Sequence, residues 1–289
     1  MADMVGPRRL WPVDKLLLGY LGATSVLAAV AWRSLPAAPS LIGIHVAAAV
    51  LLLLAVRYPD SFPARVFRHW YPLPYVAFCY REMSLLIPSL RGIDYDRQLA
   101  AWDFRIWGAH PTVWLEGWQA PWLVEALQIA YSTFVPAVLL VAFLLWRQRR
   151  FDEFRYYAFL IALGFLVSYV GYLLVPARGP RFVLAGLQTT ELSGVWLFDW
   201  LRATLDQLES AHFDCFPSGH LELTLLAAAG SRVISKPLFG GYAAYSAIIA
   251  FATVYLRYHY TVDIAAGAVV AIVLIILTPP LYRSMGEGS

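Results

Sequence analysis

The sequence predicts an all-α, polytopic membrane bundle of about eight spans, and three observations carry that reading. Of 289 residues, 60% are hydrophobic and only 14% are charged, against about 25% charged in soluble domains. Four stretches, 126–146, 156–177, 237–256 and 264–282, contain no Asp, Glu, Lys or Arg and have the roughly 20-residue length that crosses a hydrocarbon core. The basic residues are also unevenly divided between alternate loops, as the positive-inside rule requires of a multi-span chain.

Taken in order, residues 16–32 and 41–56 are uncharged and slightly shorter, and a connection rich in Pro and Ala joins them as a helical hairpin. The first run is too long for a signal-peptide core, and no small-residue cleavage site precedes the second, so it reads as a retained span. Residues 59–74 are aromatic and basic (His69, Trp70, Tyr71), which suits an interfacial stretch. The run 71–90 is a weaker span because Arg81 and Glu82 lie in its middle, and 217–231 is weaker because it is short and carries Glu222. Between the spans, Asp96 can cap a short helix running through Trp107. Trp102, Trp107, Trp114 and Trp118 place the segment 91–121 at the headgroup layer. In the long connection 178–216, Leu197, Leu201, Leu205 and Leu208 recur at spacings of four and three. They predict an amphipathic surface helix that either flanks a lipid entrance or covers a site. The division expected is an N-terminal hairpin and interfacial segment over 1–70, a membrane domain over 71–283 and a short tail over 284–289.

With the N-terminus inside, 13 of the 22 Lys and Arg residues fall on inner segments and eight on outer ones, Arg81 being intramembrane. Both termini are then cytoplasmic, and the loops that open at 178 and 217 and the turn near 257 face outward. The compact termini and the absence of a long glycan-bearing loop point to a bacterial plasma membrane. Cys79 in a span and Cys215 in an outer loop are not expected to pair.

The chemistry gathers on that outer side. His259 and Asp263 are four residues apart at the start of the last span. On one helix face the carboxylate accepts a hydrogen bond from one imidazole nitrogen and leaves the other free as a nucleophile. The same spacing also suits a metal, and the bland alternative is a headgroup-level histidine beside an incidental aspartate. Phe216-Pro217-Ser218-Gly219-His220 opens another span, where glycine allows close backbone approach and free amides favour an anion. His220 is placed to act as general acid; the plain alternative is a helix start with an incidental histidine. Arg178 and Arg181, in Pro176-Ala-Arg178-Gly-Pro180-Arg181, follow directly on an apolar run. Guanidinium groups grip phosphate through paired donors, whereas a single such arginine usually snorkels. Two arginines on the side that the charge bias disfavours argue against snorkelling.

In this order and on these spans, the three motifs resemble those of the type 2 phosphatidic acid phosphatase superfamily. The resemblance runs from about Tyr71 to Tyr282. His259 and Asp263 match the third motif, but Ala252-Thr253 stands where that motif has Ser-Arg. Pro180-Arg181 stands in for the first motif's Arg-Pro, and Gly171 falls where its lysine would be. The stretches 252–263 and 95–111 look more like the branch containing inositol phosphorylceramide synthases. The resemblance implies a six-span core in which His259 forms a phosphohistidine, Asp263 orients it and His220 moves the proton. Arg178, Arg181, Ser218 and the Gly219 amide would hold the phosphate, with no metal or cofactor. It leaves one phosphate contact unassigned, and Arg257 is two residues from His259 and points elsewhere on a helix.

These readings predict a lipid phosphotransferase working on a phospholipid or lipid phosphate at the extracytoplasmic face, with a lipid alcohol as possible acceptor. Hydrolysis of a lipid phosphate or diphosphate by the same residues is the rival. A non-catalytic lipid carrier and a metal-dependent hydrolase are remoter, and no nucleic-acid motif is present. Arg81 and Glu82 are either functional or a structural pair with another span. Asp94, Asp96 and Asp103 either bind a polyol acceptor or cap turns, and His212, Asp214 and Cys215 admit a metal cluster with His220. His45, His69, His110 and Glu222 are read as structural or without role.

Overall fold

The computed structural model describes residues 9–58, 62–208 and 213–287, and these are helical with irregular connections and no β-strand. Helices α1 (Pro12–Val30) and α2 (Ala38–Arg57) form the hairpin; a short α3 (Phe62–Trp70) leads into α4 (Pro72–Leu90). Then come α5 (Asp96–Trp107), the single turn α6 (Pro111–Trp114), α7 (Pro121–Ser132), α8 (Phe134–Arg147) and α9 (Phe151–Leu174). After the turn α10 (Pro180–Val183) follow α11 (Phe198–Leu208), α12 (Gly219–Ser231), α13 (Lys236–Tyr255) and α14 (Thr261–Glu287).

Helices α1, α2, α9, α13 and α14 are each long and apolar enough to cross a membrane. Helices α7 and α8, bent by 43° at Thr133, make a sixth candidate as one broken span, which is the stretch read from sequence as the continuous run 126–146. The two weaker runs also form helices, α4 and α12. The protein is therefore an all-α, multi-pass membrane protein.

Local chemistry sets the helix ends. Proline occupies the first helical position of α1, α4, α7 and α10, where its missing N–H costs nothing and its φ is preset. Serine caps α12 and α13: Ser218 and Ser235 accept from the amides of Leu221 and Leu238, as N-cap hydroxyls do. Helix α13 ends in a Schellman turn. The Arg257 amide donates to the Val254 carbonyl, and the Tyr258 and His259 amides both donate to that of Thr253. Arg257 takes the left-handed position at φ 68°, which is usually glycine's.

Helix α12 lies at the centre, packing on α8, α9, α13 and α14. Its N-terminus, the C-termini of α9 and α13 and the N-terminus of α14 therefore meet at one end of the bundle. Helix α5 lies across that end. Asp96 is its first residue and does not cap it, since Tyr95 holds the N-cap position with no side-chain bond. The reason is geometric: the Asp96 carboxylate is turned inward to the backbone of a distant loop, accepting from the amides of Arg178 (2.7 Å) and Gly179 (2.8 Å) and from the Tyr260 hydroxyl (3.0 Å).

Seven residues on, on the same face of α5, Asp103 caps α14 from outside its own helix. It accepts from the Thr261 amide (2.9 Å), the Thr261 hydroxyl (2.7 Å) and the Val262 amide (3.0 Å). Glu125 of α7 does the same for α11, accepting from the amides of Val195, Trp196, Leu197 and Phe198. The amphipathic surface helix read from the leucine spacing is thus present and anchored at its N-terminus, although Glu209 lies outside the described residues.

Replacing Asp103 with Ala strands half-buried donors at the start of α14 and is expected to cost about 1–2 kcal/mol. Asp103→Asn, which keeps one acceptor, should recover part of it. Thermal unfolding of the detergent-solubilised protein measures both; equal midpoints for wild type and Asp103→Ala would remove the capping role.

Candidate active site

Three polar groups converge where α12 and α14 begin. The His220 Nδ1 and His259 Nε2 lie 3.2 Å apart. On its other side, His259 Nδ1 is 3.5 Å from Asp263 Oδ2. The sequence placed His259 on the last helix; it instead sits two residues before α14, in the turn that the Schellman motif fixes. The spacing of four still brings the imidazole over the carboxylate, because Asp263 points back toward the helix start, as helical side chains do. His259 and Asp263 are buried and His220 is half-buried.

The histidines are braced by aromatic rings. Tyr131 stacks on His220 with centroids 4.5 Å apart and on Tyr258 at 4.2 Å, and Phe134 packs on His220 at 4.4 Å. The break between α7 and α8 lies between these two residues, so the bend turns both rings to the same imidazole. Neither ring was singled out by sequence, where they read as ordinary span residues.

The Ser218 amide donates to the Asp263 carbonyl at 3.1 Å, which joins the start of α12 to that of α14. Its hydroxyl caps α12, and Gly219 is the first residue of that helix. Ser218, Gly219 and His220 therefore reach the cluster together.

Of the arginines, Arg181 comes closer. Its guanidinium pairs with Asp206 of α11 at 2.6 Å and lies over the rings of Phe182 and Tyr258, two stacked rings away from His220. Arg178 is exposed, with its guanidinium over Phe182 at 4.8 Å; its backbone, rather than its side chain, is what Asp96 holds.

Arg257 is occupied elsewhere: it pairs with Glu116 at 2.9 Å and donates to the Thr190 carbonyl at 2.6 Å and the Gln188 Oε1 at 3.2 Å. It leaves the helix face because α13 ends at Tyr255, before it. Gly171 leaves no room for a longer side chain, since a Cβ there would run into the Pro217 ring.

Cys215, weighed from sequence only as a metal partner of His220, joins His259 and Asp263 instead. Its thiol donates to Asp263 Oδ2 at 2.8 Å and lies 3.6 Å from His259 Nδ1. Burial raises its pKa well above the usual thiol value, and the neighbouring Asp263 carboxylate pushes the same way. The sequence signal was its position three residues before Ser218, close to His212 and Asp214. Asp214 next to it accepts from the Tyr80 hydroxyl at 2.6 Å. His212 lies outside the described residues, and Cys215 groups with His259 and Asp263 rather than with His220.

The other polar residues singled out from sequence stand outside this cluster. Glu82 meets His45 of another span at 3.4 Å, the structural pairing weighed from sequence, while Arg81 is exposed. Glu222 is buried and accepts from the Ser168 hydroxyl at 2.6 Å. Asp94 is exposed.

Fold and site together define a polytopic helical membrane protein with a His–His–Asp cluster at one end of its bundle. The chain belongs to the PAP2 superfamily, whose family model matches residues 97–277. A PA-phosphatase related-family protein of Dictyostelium discoideum is 36% identical over 104 residues, 35% of this chain and 19% of that protein. The chain thus aligns with about a fifth of that relative's length. No solved structure matches the chain.

Asp96 supplies a pH signature. Burial raises its pKa above the usual carboxylate value, and the Arg178 and Gly179 amides offset this only in part. Between the unfolded and the raised folded pKa the native state holds more protons than the unfolded one. Stability contributed by this group is therefore full below the unfolded value, about 3.9, and falls as pH rises through the folded one. Asp96→Asn should flatten that slope in melting midpoints taken across the acidic range; an unchanged slope would assign it to another group.

Proposed function

We propose that this chain is a lipid phosphotransferase working through a phosphohistidine on His259. The observation that carries the proposal is the placement of His259 between His220 at its Nε2 and Asp263 at its Nδ1. Asp263 accepts the Nδ1 proton and leaves the Nε2 lone pair for phosphorus. In the first half-reaction Nε2 forms a bond to phosphorus as the bond to the leaving oxygen breaks, and His220 gives that oxygen its proton. In the second, an acceptor hydroxyl attacks phosphorus, the P–N bond breaks and His220 takes the hydroxyl proton.

Charge on the phosphoryl oxygens would be met by the Gly219 amide at the start of α12, the Ser218 hydroxyl, and Arg181 and Arg178. Arg181 would exchange Asp206 for phosphate, which couples binding to α11. These groups supply the electrostatic stabilisation that phosphoryl transfer needs, and the scheme calls on no metal or cofactor.

A lipid substrate fits the surroundings. An apolar groove bordered by Trp107, Trp114, Phe251, Val254, Ile264 and Ala268 runs beside Thr261, two residues from His259. Transfer to a lipid alcohol is supported by the resemblance of residues 95–111 and 252–263 to the inositol phosphorylceramide synthase branch. Release of phosphate to water is the second reading, favoured by the name of the Dictyostelium relative, a PA-phosphatase related-family protein. The loop charges favour an extracytoplasmic site with both termini cytoplasmic.

The test is to supply purified protein with lipid phosphates and diphosphates, and separately with a phospholipid donor and a lipid alcohol, in chelator. Headgroup transfer without free phosphate is the expected result, and free phosphate would establish hydrolysis. His259→Ala should lower either activity by at least about a thousandfold, the scale on which loss of a covalent nucleophile is felt. Full activity in that variant would exclude the phosphohistidine.

A further inference from the structure

Cys215, His259 and Asp263 present a sulfur, a nitrogen and an oxygen to one another inside the protein. The Sγ–Nδ1, Sγ–Oδ2 and Nδ1–Oδ2 separations are 3.6, 2.8 and 3.5 Å, and all three residues are buried. A tetrahedral zinc ion with ordinary bond lengths to S, N and O would set these edges at about 3.6, 3.6 and 3.4 Å. Two of the three already fit. The third, Sγ to Oδ2, is the thiol–carboxylate hydrogen bond, and it would open by about 0.8 Å as a metal replaced the shared proton. The second carboxylate oxygen, Asp263 Oδ1, is buried and finds no hydrogen-bond partner among the described residues. The carboxylate therefore has unused acceptor capacity inside the protein.

We propose that Cys215, His259 and Asp263 form a binding site for a thiophilic divalent cation, zinc or cadmium, and that its occupancy shuts the protein off. A soft thiolate with an imidazole selects such ions over magnesium or calcium, which prefer all-oxygen shells. On binding, a metal–sulfur bond forms and the thiol proton leaves to solvent. A metal–nitrogen bond forms at His259 Nδ1, and the proton held there passes to Nε2, because a neutral imidazole carries one N–H.

That second proton is the consequential one. It occupies the lone pair that faces His220, so the nucleophile proposed above is lost while Asp263 is drawn to the metal. The inhibitory half of the inference rests on the phosphohistidine reading, whereas the binding half rests on geometry alone.

Cobalt binding to the full-length protein in detergent reads the site without turnover, through the thiolate-to-cobalt charge-transfer absorption in the near ultraviolet. Wild type and Cys79→Ala, whose cysteine lies in α4, should both show the band and lose activity in zinc, with recovery on chelation. Cys215→Ala should lose the band and need at least about tenfold more zinc for the same fractional inhibition, since even the loss of an outer-shell partner costs that much affinity. If that variant does not fold, His259→Ala serves in its place, with at least about tenfold weaker cobalt binding expected.

A band that persists in Cys215→Ala, cobalt binding undiminished in His259→Ala, or no band in wild type would overturn the site. Cobalt held through Cys215 with undiminished turnover in saturating zinc would overturn the inhibition. Cobalt held there in a protein whose turnover does not depend on His259 would support the site while the phosphohistidine reading fails.

Discussion

The Asp263 carboxylate is the point on which this end of the molecule depends. Its Oδ2 takes the Cys215 thiol at 2.8 Å and the Tyr260 amide at 2.9 Å, and faces His259 Nδ1 at 3.5 Å. Its own carbonyl accepts the Ser218 amide. One residue in the first turn of α14 therefore meets the loop before α12, the cap of α12, and the turn after α13. A buried carboxylate is costly unless several donors satisfy it, and here the donors come from each segment that carries a histidine or its neighbour. The pair of imidazoles is consequently held by a polar junction inside an apolar bundle, where a packing contact alone would allow rotation.

Helix α5 supports this junction from outside. Asp96 and Asp103, on one face, reach the 178–179 backbone and the first turn of α14 respectively. Gly179, with φ 98°, gives the loop the conformation that turns both amides to one carboxylate, in a region that other residues rarely adopt. The same surface contains α11, which Glu125 caps and Asp206 ties to Arg181. The cap over the histidine end is thus assembled from carboxylates that act across the fold rather than within their own helices. An anion arriving there would compete with Asp206 for Arg181.

Arg257 shows how local and tertiary demands interact. A non-glycine residue in the left-handed position costs about 1–2 kcal/mol, yet this is where the Schellman turn places it, directly before Tyr258 and His259. The pairing with Glu116 and two further acceptors offsets that strain and fixes the turn. It also withdraws Arg257 from any role as a free phosphate contact. The lysine position of the family's first motif is closed as well, since Gly171 lies against Pro217. The polar groups gathered here are therefore fewer than the family pattern supplies, and in the proposed reading Arg181 and the start of α12 would carry more of the phosphate contact.

The sequence by itself determined the bundle and the histidine cluster. Long uncharged runs admit no other state in a bilayer than helix, and the spacing of four pointed to the His259–Asp263 pair, which His259 reaches from the turn before α14 rather than from the helix itself. His220 was legible because Pro217 and Ser218 mark a helix start. The partners of Asp96, Asp103, Cys215 and Arg257 were decided only by tertiary structure. Asp96 could equally cap its own helix, and its targets lie more than eighty residues away. Cys215 could be weighed from sequence only with its chain neighbours and His220, and the loop that sets its thiol beside Asp263 and His259 gives it other partners. Periodicity and local propensity report which face of an element is buried; they do not report which distant donor a buried carboxylate will find, because that depends on how the helix ends meet.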